Sequence, residues 1–332
     1  MNKKILILGL NSFGGSTFAN YLLDKKWSVT GLYHDNQKNN LIYNYNQNKK
    51  NLKKIKINFS SESSLKKVNV ILKKNFFDYI IDFASICMVD YSWENPSYYL
   101  KVNVESKIKL LQVLKNYEFK KYILISTPEV FGSTKKTLYE NNFFYNPLTP
   151  YAISKSYQET YARLICDKSK INFNICRFSN FYGPGQAAYR LIPRIIYSIL
   201  FNKKIIIQGN GSAERSFIYS YDFCNGIYKV MQKSKISKIY HFSNQEFLKI
   251  FDIYKIICKL MNVSYKNYFI YGPPRIHEDP SYRLNCKNTI NNLKWKPKFN
   301  LEKGLMNTIK FYVDNKNVFR HYLLKFEKSK YI

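Results

Sequence analysis

Tyr151 and Lys155 are the two residues of this sequence best suited to moving a proton. Thr149 and Pro150 precede them as a favourable helix N-cap and first helical residue. Spacing of four residues places both side chains on one face of that helix. An ammonium beside a phenol favours the phenolate and lowers the tyrosine pKa, so the pair predicts a general base for a hydroxyl proton. In a chain with 30 tyrosines, chance or a solvated helix face also produces such a pair.

An apolar strand leads towards this helix and strengthens the catalytic interpretation. Residues 121–126 read K-Y-I-L-I-S, and Thr127 follows them in the segment S-T-P-E-V-F-G. Such a run, bounded by polar residues, predicts a buried strand whose last residues face a cleft.

A glycine-rich turn follows the first apolar strand, at residues 4–8, and precedes a helical pattern over 18–23. Its candidate cofactor-binding residues are Gly9, Ser12, Phe13, Gly14 and Gly15. Strand, glycine turn and helix bind dinucleotides, because the turn's backbone lies against the pyrophosphate and the helix N-terminus offers free N–H groups. Ser12 stands where the motif expects its middle glycine. A plain strand–helix turn is the alternative.

Further positions bear on the choice of cofactor. Asn58 follows the third predicted strand and is placed to hydrogen-bond an adenine edge, although an ordinary turn residue fits equally well. Ala84, at the end of the fourth predicted strand, is another cofactor-binding candidate. Tyr33 occupies the usual place of the acid that holds a ribose hydroxyl, and Asp35 lies two residues further on. No arginine stands nearby to accept a 2′-phosphate, which favours NAD and leaves NADP open.

Strands and helices alternate through the first half of the chain. Further strands are predicted at 27–33, 55–59, 78–84, 121–126 and 173–178, helices at 62–74, 98–117 and 151–168, and a loop over 36–54. This alternation predicts an α/β fold of the Rossmann type, a doubly wound parallel sheet covered on both faces. We expect residues 1–178 to form the NAD-binding domain, with a strand near 239–243 returning to it.

The pattern changes after residue 178, and residues 179–332 are expected to form a smaller α/β lobe. Asn180 opens a turn-rich stretch over 180–186 and is a candidate substrate ligand. Arg190 and Arg215 are candidates for gripping a diphosphate, since guanidinium groups form strong charge-assisted contacts with phosphates. Each arginine taken alone also fits an ordinary surface position.

Composition excludes several classes of protein. The net charge of +31 suggests nucleic-acid binding, but the lysines are spread along the chain beside abundant Asn, Ile, Tyr and Phe, as A+T-rich codon usage would produce. We therefore expect no specific nucleic-acid partner, while a basic surface would still attract a nucleotide diphosphate. No apolar run reaches the roughly 18 residues of a membrane span. The six cysteines are scattered without metal-binding spacing, which predicts reduced core residues of a cytoplasmic protein without a metal site.

As a set, these motifs resemble the extended short-chain dehydrogenase/reductases that act on nucleotide sugars, especially the dTDP-glucose 4,6-dehydratases. The likeness rests on the glycine turn, S-T-P-E-V-F-G, Y-A-I-S-K, R-F-S-N-F-Y-G-P-G-Q, the L-I-P helix, R-S-F-I-Y and W-K-P, and it covers nearly the whole chain. It implies bound NAD, a redox triad of Thr127, Tyr151 and Lys155, a nucleotide-sugar substrate gripped by the C-terminal lobe, and a homodimer formed by the helices around 98–117 and 151–168.

The resemblance also implies an internal redox mechanism. Tyr151 takes the proton of the sugar 4-hydroxyl while hydride leaves C4, Lys155 lowers the tyrosine pKa and holds the ribose, and Glu129 removes the C5 proton before water leaves from C6. The dTDP-glucose enzymes carry an aspartate where this chain has Pro128, and the family usually carries histidine or asparagine where this chain has Asp82. A nucleotide-sugar 4-epimerase and a UDP-glucuronate-type decarboxylase therefore stay open. A non-catalytic nucleotide- or nucleic-acid-binding protein is the remote alternative.

Overall fold

Short apolar segments and amphipathic helices alternate from the first strand onwards, and they build a sheet covered by helices. The computed structural model describes residues 3–34, 49–134, 136–235, 237–273 and 281–321. Its strands are β1 (Lys4–Leu8), β2 (Ser28–Tyr33), β3 (Leu52–Lys56), β4 (Tyr79–Asp82), β5 (Lys121–Ser126), β6 (Thr137–Leu138), β7 (Phe173–Phe178), β8 (Asn180–Tyr182), β9 (Ile205–Gln208), β10 (Glu214–Arg215), β11 (Phe217–Tyr219), β12 (Lys238–Phe242), β13 (Leu248–Lys249), β14 (Phe269–Gly272) and β15 (Arg283–Leu284). Its helices are α1 (Phe13–Asp24), α2 (Glu62–Lys74), α3 (Val89–Glu94), α4 (Pro96–Leu100), α5 (Ser106–Leu114), α6 (Pro150–Lys168), α7 (Leu191–Leu200), α8 (Ser220–Lys233), α9 (Ile250–Leu260), α10 (Lys287–Leu293), α11 (Leu301–Asp314) and α12 (Lys316–Phe319).

The central sheet has seven parallel strands in the order β12-β7-β5-β4-β1-β2-β3. The chain runs outward from β1 to β3, then returns to β4 on the other side of β1 and continues outward. The strand order therefore reverses between β1 and β4, and ligands of such sheets bind outside the carboxyl ends of the strands at this reversal. The predicted Rossmann-type fold is confirmed.

Buried apolar side chains cover both faces of the sheet. On one face, Phe18 of α1 and Phe223 and Ile227 of α8 pack in a single cluster with the inward residues of β1 and β4. On the other face, Val68 of α2 and Leu110 of α5 join α6 in a second cluster. Strands buried on both faces need continuous apolar runs, which is why their sequences show no alternation.

A third cluster belongs to the C-terminal part of the chain. It packs residues of α7, α9 and α11 against β9 and β11, with Ile195, Ile257 and Leu305 fully buried. β9 pairs with β14 in a separate two-stranded sheet, and β8 pairs with β11 in another. β8 begins at Asn180, so part of the stretch predicted as turn-rich is a strand.

The predicted third strand at 55–59 is wrong in position. β3 spans Leu52–Lys56 and pairs with β2, and the end of the predicted loop over 36–54 therefore belongs to a strand. Three lysines conceal the strand in the sequence, because at this edge position much of the strand faces solvent. Residues 35–48, which include Asp35 and most of the predicted loop, lie outside the described residues.

The helix predicted at 98–117 is shorter and interrupted. Pro96 begins α4, residues Lys101–Glu105 form a π-helical turn, and α5 ends at Leu114. The π turn directs the fully buried Asn103 inward, where its amide Nδ2 donates to Ile86 O at 3.0 Å and its Oδ1 accepts from Ile86 N at 2.9 Å. Irregular turns of this kind often occur at functional sites.

Within the described ranges, every helix is too short or too polar to cross a membrane.

Candidate active site

The turn after β1 depends on glycine. Gly9 has φ +78°, and a Cβ built there would lie 2.8 Å from the Ala84 Cα, closer than real Cβ atoms approach backbone. A Cβ at Gly15 would collide with the carbonyl oxygen of Gly9. The backbone of the turn therefore lies directly against the end of β4, at the reversal of strand order. This cradle fits a pyrophosphate, which binds to backbone N–H groups at a helix N-terminus.

Ser12 takes the place of the middle glycine and caps the helix. Its hydroxyl oxygen accepts from Gly15 N at 3.0 Å, and the hydroxyl donates to Gly9 O at 2.8 Å. The Ser12 side chain therefore caps α1 by bonds within the turn.

The other cofactor candidates are placed around the turn and along the sheet edge. Phe13 begins α1, and its ring stacks on Phe181 with centroids 5.4 Å apart. Ala84 follows β4, and its N–H donates to Asp82 Oδ1 at 2.9 Å. Asn58 is exposed, and its Oδ1 accepts from Ser60 N at 3.0 Å. The Asn58 side chain therefore forms a local turn, the more ordinary of its two predicted roles.

The structure brings three of the predicted catalytic residues together at the ends of β5 and α6. Thr127 follows β5 and caps a short 3₁₀ turn, Pro128–Phe131, by accepting from Glu129 N at 3.3 Å. Tyr151 lies in the first turn of α6, and its phenol is hydrogen-bonded to the Thr127 side chain. The charge of Glu129 raises the pKa of Tyr151, and Thr127 joins the two residues, since its side chain accepts from Glu129 N and bonds the phenol.

The expectation that Lys155 lowers the pKa of Tyr151 is wrong for the chain alone. Burial raises the pKa of Tyr151 well above its ordinary value, and the nearby charge of Glu129 adds to that rise. The lowering influences are the guanidinium of Arg190 and the hydrogen bond from Thr127. Removing the phenol from water favours its neutral form more than these neighbours favour the phenolate.

Lys155 is held by three oxygens of the protein. Its buried ammonium donates to Ile125 O at 3.0 Å, to Ser85 Oγ at 3.2 Å and to Gln158 Oε1. Burial lowers the pKa of Lys155 to about 8, while the charge of Asp82 opposes that shift. These bonds join the ends of β4 and β5 to α6 and fix the lysine at the carboxyl edge of the sheet.

The predicted substrate-binding residues lie in two different parts of the structure. Asn180 and Arg215 meet at Tyr282, whose hydroxyl donates to Asn180 Oδ1 at 3.0 Å and whose ring centroid lies 4.7 Å from the Arg215 guanidinium carbon. Arg190 lies elsewhere, where one of its nitrogens is 3.0 Å from Cys87 Sγ and its charge lowers the pKa of Tyr151.

Four further residues near the site were not predicted from the sequence. Gln158 lies three residues after Lys155 on the same helix face, and this spacing alone could have indicated it. Asn103 also donates to Ser154 Oγ at 2.9 Å, through a π turn that periodicity does not reveal. Cys87, expected as a core residue, is exposed at the site, whereas the other five cysteines are buried. Tyr282 reaches the site only through tertiary folding.

Among the described residues, no group of three or more His, Cys, Asp or Glu side chains is arranged to hold a metal ion.

The fold and the site together define an extended short-chain dehydrogenase/reductase. The sequence model of the GDP-mannose 4,6 dehydratase family matches residues 6–308, and the chain belongs to that family. The family and enzyme class predicted from the sequence are confirmed.

Individual relatives are dehydratases of nucleotide sugars. A dTDP-D-glucose 4,6-dehydratase of Dictyostelium discoideum is 27% identical over 367 residues, covering 95% of this chain and 82% of that protein. A dTDP-glucose 4,6-dehydratase of Streptomyces venezuelae, solved with NAD bound, has a TM-score of 0.87 at 23% identity, covering 95% of this chain and 98% of that chain. Another, of Bacillus anthracis in complex with NAD, has a TM-score of 0.85 at 25% identity over the same shares. Solved nucleotide-sugar 4-epimerases share the fold as well.

Proposed function

We propose that the protein is an NAD-dependent nucleotide-sugar 4,6-dehydratase that converts an NDP-glucose-type substrate into the 4-keto-6-deoxy sugar nucleotide. The observation that carries the proposal is that Thr127 bonds both the Glu129 backbone N–H and the Tyr151 phenol, which puts Glu129 in the turn next to the phenol's partner. Simple 4-epimerisation needs one base at the 4-hydroxyl, whereas elimination of water needs a second base for the C5 proton. We assign Glu129, in the turn that Thr127 caps, as that second base.

The residues that would hold NAD are those of the glycine turn and Lys155. Gly9 and Gly15 leave room for the pyrophosphate, and the N-terminus of α1 attracts its charge. We assign Lys155, at the carboxyl edge of the sheet, to the nicotinamide ribose. Bound NAD supplies a hydride acceptor for C4 and a hydride donor for C6.

The chain's own residues move the protons. Tyr151, hydrogen-bonded to Thr127, takes the proton of the 4-hydroxyl, and the guanidinium of Arg190 helps to stabilise the phenolate that this role requires. Glu129 removes the C5 proton, which the 4-ketone has acidified. Pro128 has no proton to give, so we assign the protonated Glu129 to the departing C6 hydroxyl as its acid.

The C-terminal lobe from residue 179 onward holds the nucleotide sugar. Arg215 and Asn180 are assigned to the diphosphate side and Arg190 to the sugar side, since Arg190 lies beside Tyr151. The six free cysteines support a cytoplasmic location, where thiols stay reduced.

A homodimer through α6 is part of the proposal. Ile153, Tyr157, Tyr161 and Leu164 follow one another at helical spacing along α6 and are 37–57% exposed. Trp93 of α3, which packs beside α6, is 46% exposed. An apolar stripe of this length on a helix exposed in the single chain indicates a protein interface.

Two variants test the reaction by failing at different stages. Tyr151→Phe should block the first hydride transfer, so that incubation with substrate gives no reduced-cofactor absorbance. Glu129→Gln should oxidise C4 but stall before elimination, so that reduced cofactor accumulates, with a loss of roughly 10²- to 10⁴-fold in turnover. Glu118→Gln, which changes an exposed acid before β5, is the matched control. A Glu129→Gln enzyme with normal turnover would point to the 4-epimerase instead.

A further inference from the structure

We propose that Tyr282 is a positioning residue that aligns Arg215 and Asn180 with the catalytic turn Pro128–Phe131. The inference rests on the proposed function, because it assigns Arg215 to the diphosphate of the substrate. Tyr282 is 4% exposed and lies immediately before β15, which pairs with β6. Three features of its surroundings carry the argument.

The hydroxyl of Tyr282 orients Asn180. It donates to Asn180 Oδ1 at 3.0 Å, and Asn180 itself is exposed. Because the amide oxygen is fixed by this bond, the Nδ2 group of Asn180 is the part of the side chain presented for hydrogen bonding to a substrate oxygen.

The Arg215 guanidinium lies over the ring of Tyr282. Ser281 and Arg283, on either side of Tyr282 in the chain, contact the carboxylate of Glu214. Ser281 Oγ lies 3.4 Å from Glu214 Oε2, and the Arg283 guanidinium lies 2.7 Å from the same oxygen. The Arg215 guanidinium carbon lies 4.7 Å from the ring centroid of Tyr282. The carboxylate adjacent to Arg215 in the chain is thus paired elsewhere, and Arg215 keeps its positive charge for an anion. A cation over an aromatic face is held in place without being neutralised.

Tyr282 also shares an apolar cluster with two residues of the turn Pro128–Phe131. Tyr282 belongs to a buried apolar cluster with Val130 and Phe131, and Leu138 and Leu284 complete that cluster. Val130 and Phe131 directly follow Glu129. Tyr282 therefore connects Asn180 and Arg215 with the cluster that holds the turn carrying Glu129, and we infer that its position affects both.

A double-mutant cycle on nucleotide binding tests the link. UDP, dTDP and GDP are titrated by calorimetry into wild type and into Tyr282→Leu, Arg215→Ala and the double variant. Tyr282→Leu should weaken binding about ten-fold, the size of a lost cation–π contact. In the Arg215→Ala background the same change should add little, since the contact is already absent. Additive losses, or unchanged affinity in Tyr282→Leu, would overturn the inference.

Two further variants separate positioning from folding. Tyr282→Phe keeps the ring and removes the hydroxyl that bonds Asn180, so it should raise KM for the nucleotide sugar, with a smaller change in kcat and unchanged NAD affinity. Tyr271→Leu, which replaces an exposed tyrosine of the same lobe, should change none of these values. If Tyr282→Phe lowered NAD affinity as much as nucleotide affinity, the role would be general packing, and positioning would be refuted.

The cycle also distinguishes this inference from the proposed reaction. Coupling between Tyr282 and Arg215 together with normal turnover in Glu129→Gln would leave the inference standing and remove the dehydratase assignment. Independent effects together with a stalled Glu129→Gln enzyme would do the reverse. A wild-type chain that binds none of the three nucleotides would overturn both.

Discussion

The ammonium of Lys107 lies 2.7 Å from Oδ1 of Asp82, and both side chains are buried. The hydroxyl of Tyr122 donates to the other carboxylate oxygen at 2.7 Å. Asp82 ends β4, directly before the loop that faces the glycine turn. Asp82 stands where the resemblance predicts histidine or asparagine, and its charge is balanced by Lys107 of α5. We infer that Asp82 serves the fold at this position.

Removing that cation should destabilise the fold. Lys107→Met leaves the buried carboxylate of Asp82 without its charge partner, which typically costs about 3–5 kcal/mol. The free energy of unfolding, measured with urea, gives the cost. The double variant Asp82→Asn, Lys107→Met should recover most of the loss, because no buried charge is then unpaired. If the double variant were as unstable as the single one, ion pairing would not be the cause.

Gly9→Val should abolish NAD binding. The Gly9 φ of +78° disfavours a branched side chain, and its Cβ would lie 2.8 Å from the Ala84 Cα, so the turn must move where the pyrophosphate binds. Calorimetric titration with NAD measures the effect. Ser12→Ala, which removes only the cap hydroxyl, should cost about 1 kcal/mol of stability and retain binding. Unchanged NAD affinity in Gly9→Val would contradict the assignment of the turn.

Titration of the buried Lys155 should change how the free energy of unfolding depends on pH. Burial lowers its pKa to about 8 from 10.5. Between pH 8 and pH 10.5 the unfolded chain holds a proton on Lys155 that the folded chain has lost, so Lys155 makes the free energy of unfolding rise with pH. Below pH 8 Lys155 is protonated in both states, and its contribution is constant. Between neutral pH and pH 10, the free energy of unfolding of wild type should rise by up to about 3 kcal/mol relative to that of Lys155→Met.

Urea unfolding of the two proteins at several pH values measures this gain. Lys168→Met, which changes an exposed lysine of the same helix, is the matched control and should follow the wild-type curve. Parallel curves for wild type and Lys155→Met would mean that the lysine does not lose its proton in this range.

The sheet could be predicted because local sequence determined it. β1, β5, β7 and α2 have the predicted bounds, since buried apolar runs and clear caps mark them. The edge strand β3 was misplaced because lysines cover its exposed side. The π turn around Asn103 broke a predicted long helix through tertiary contacts that periodicity cannot show.

The proximity of Thr127 and Tyr151 could be predicted, because the order of strand and helix and the spacing of their motifs determine it. The pKa of Tyr151 could not, because it depends on burial and on Glu129 and Arg190, which reach the phenol from other elements. Tyr282 was missed for the same reason, since its partner Asn180 lies 102 positions earlier in the chain.

The apolar stripe of α6 should form the dimer interface. Tyr157→Asp and Leu164→Asp place a charge in that stripe, where burial without a partner is costly, and should shift the protein to a monomer. Phe144→Asp, which changes a 92% exposed residue outside α6, should leave the oligomer intact. Sedimentation velocity gives the mass. A wild-type monomer, or dimers in all three variants, would contradict the proposed interface.

Pro128 offers a gain-of-function test of the elimination step. It is the buried first residue of the turn that carries Glu129, and the dTDP-glucose enzymes carry an aspartate there. An aspartate at the first position of a helical turn has a suitable backbone conformation, and burial would raise its pKa and keep it able to donate a proton. Losing the proline should cost about 0.4–1 kcal/mol of stability.

Pro128→Asp should therefore speed the loss of water after C4 oxidation, because a second acid relieves Glu129 of protonating the departing hydroxyl. Rapid-mixing absorbance separates the two steps, since reduced cofactor appears with oxidation and disappears when hydride returns to C6. Pro128→Asn has the same shape without the acid and should show the lost proline's effects alone. If the reduced cofactor disappeared at equal rates in both variants, proton supply would not limit elimination, and Glu129 would suffice as the acid in this enzyme.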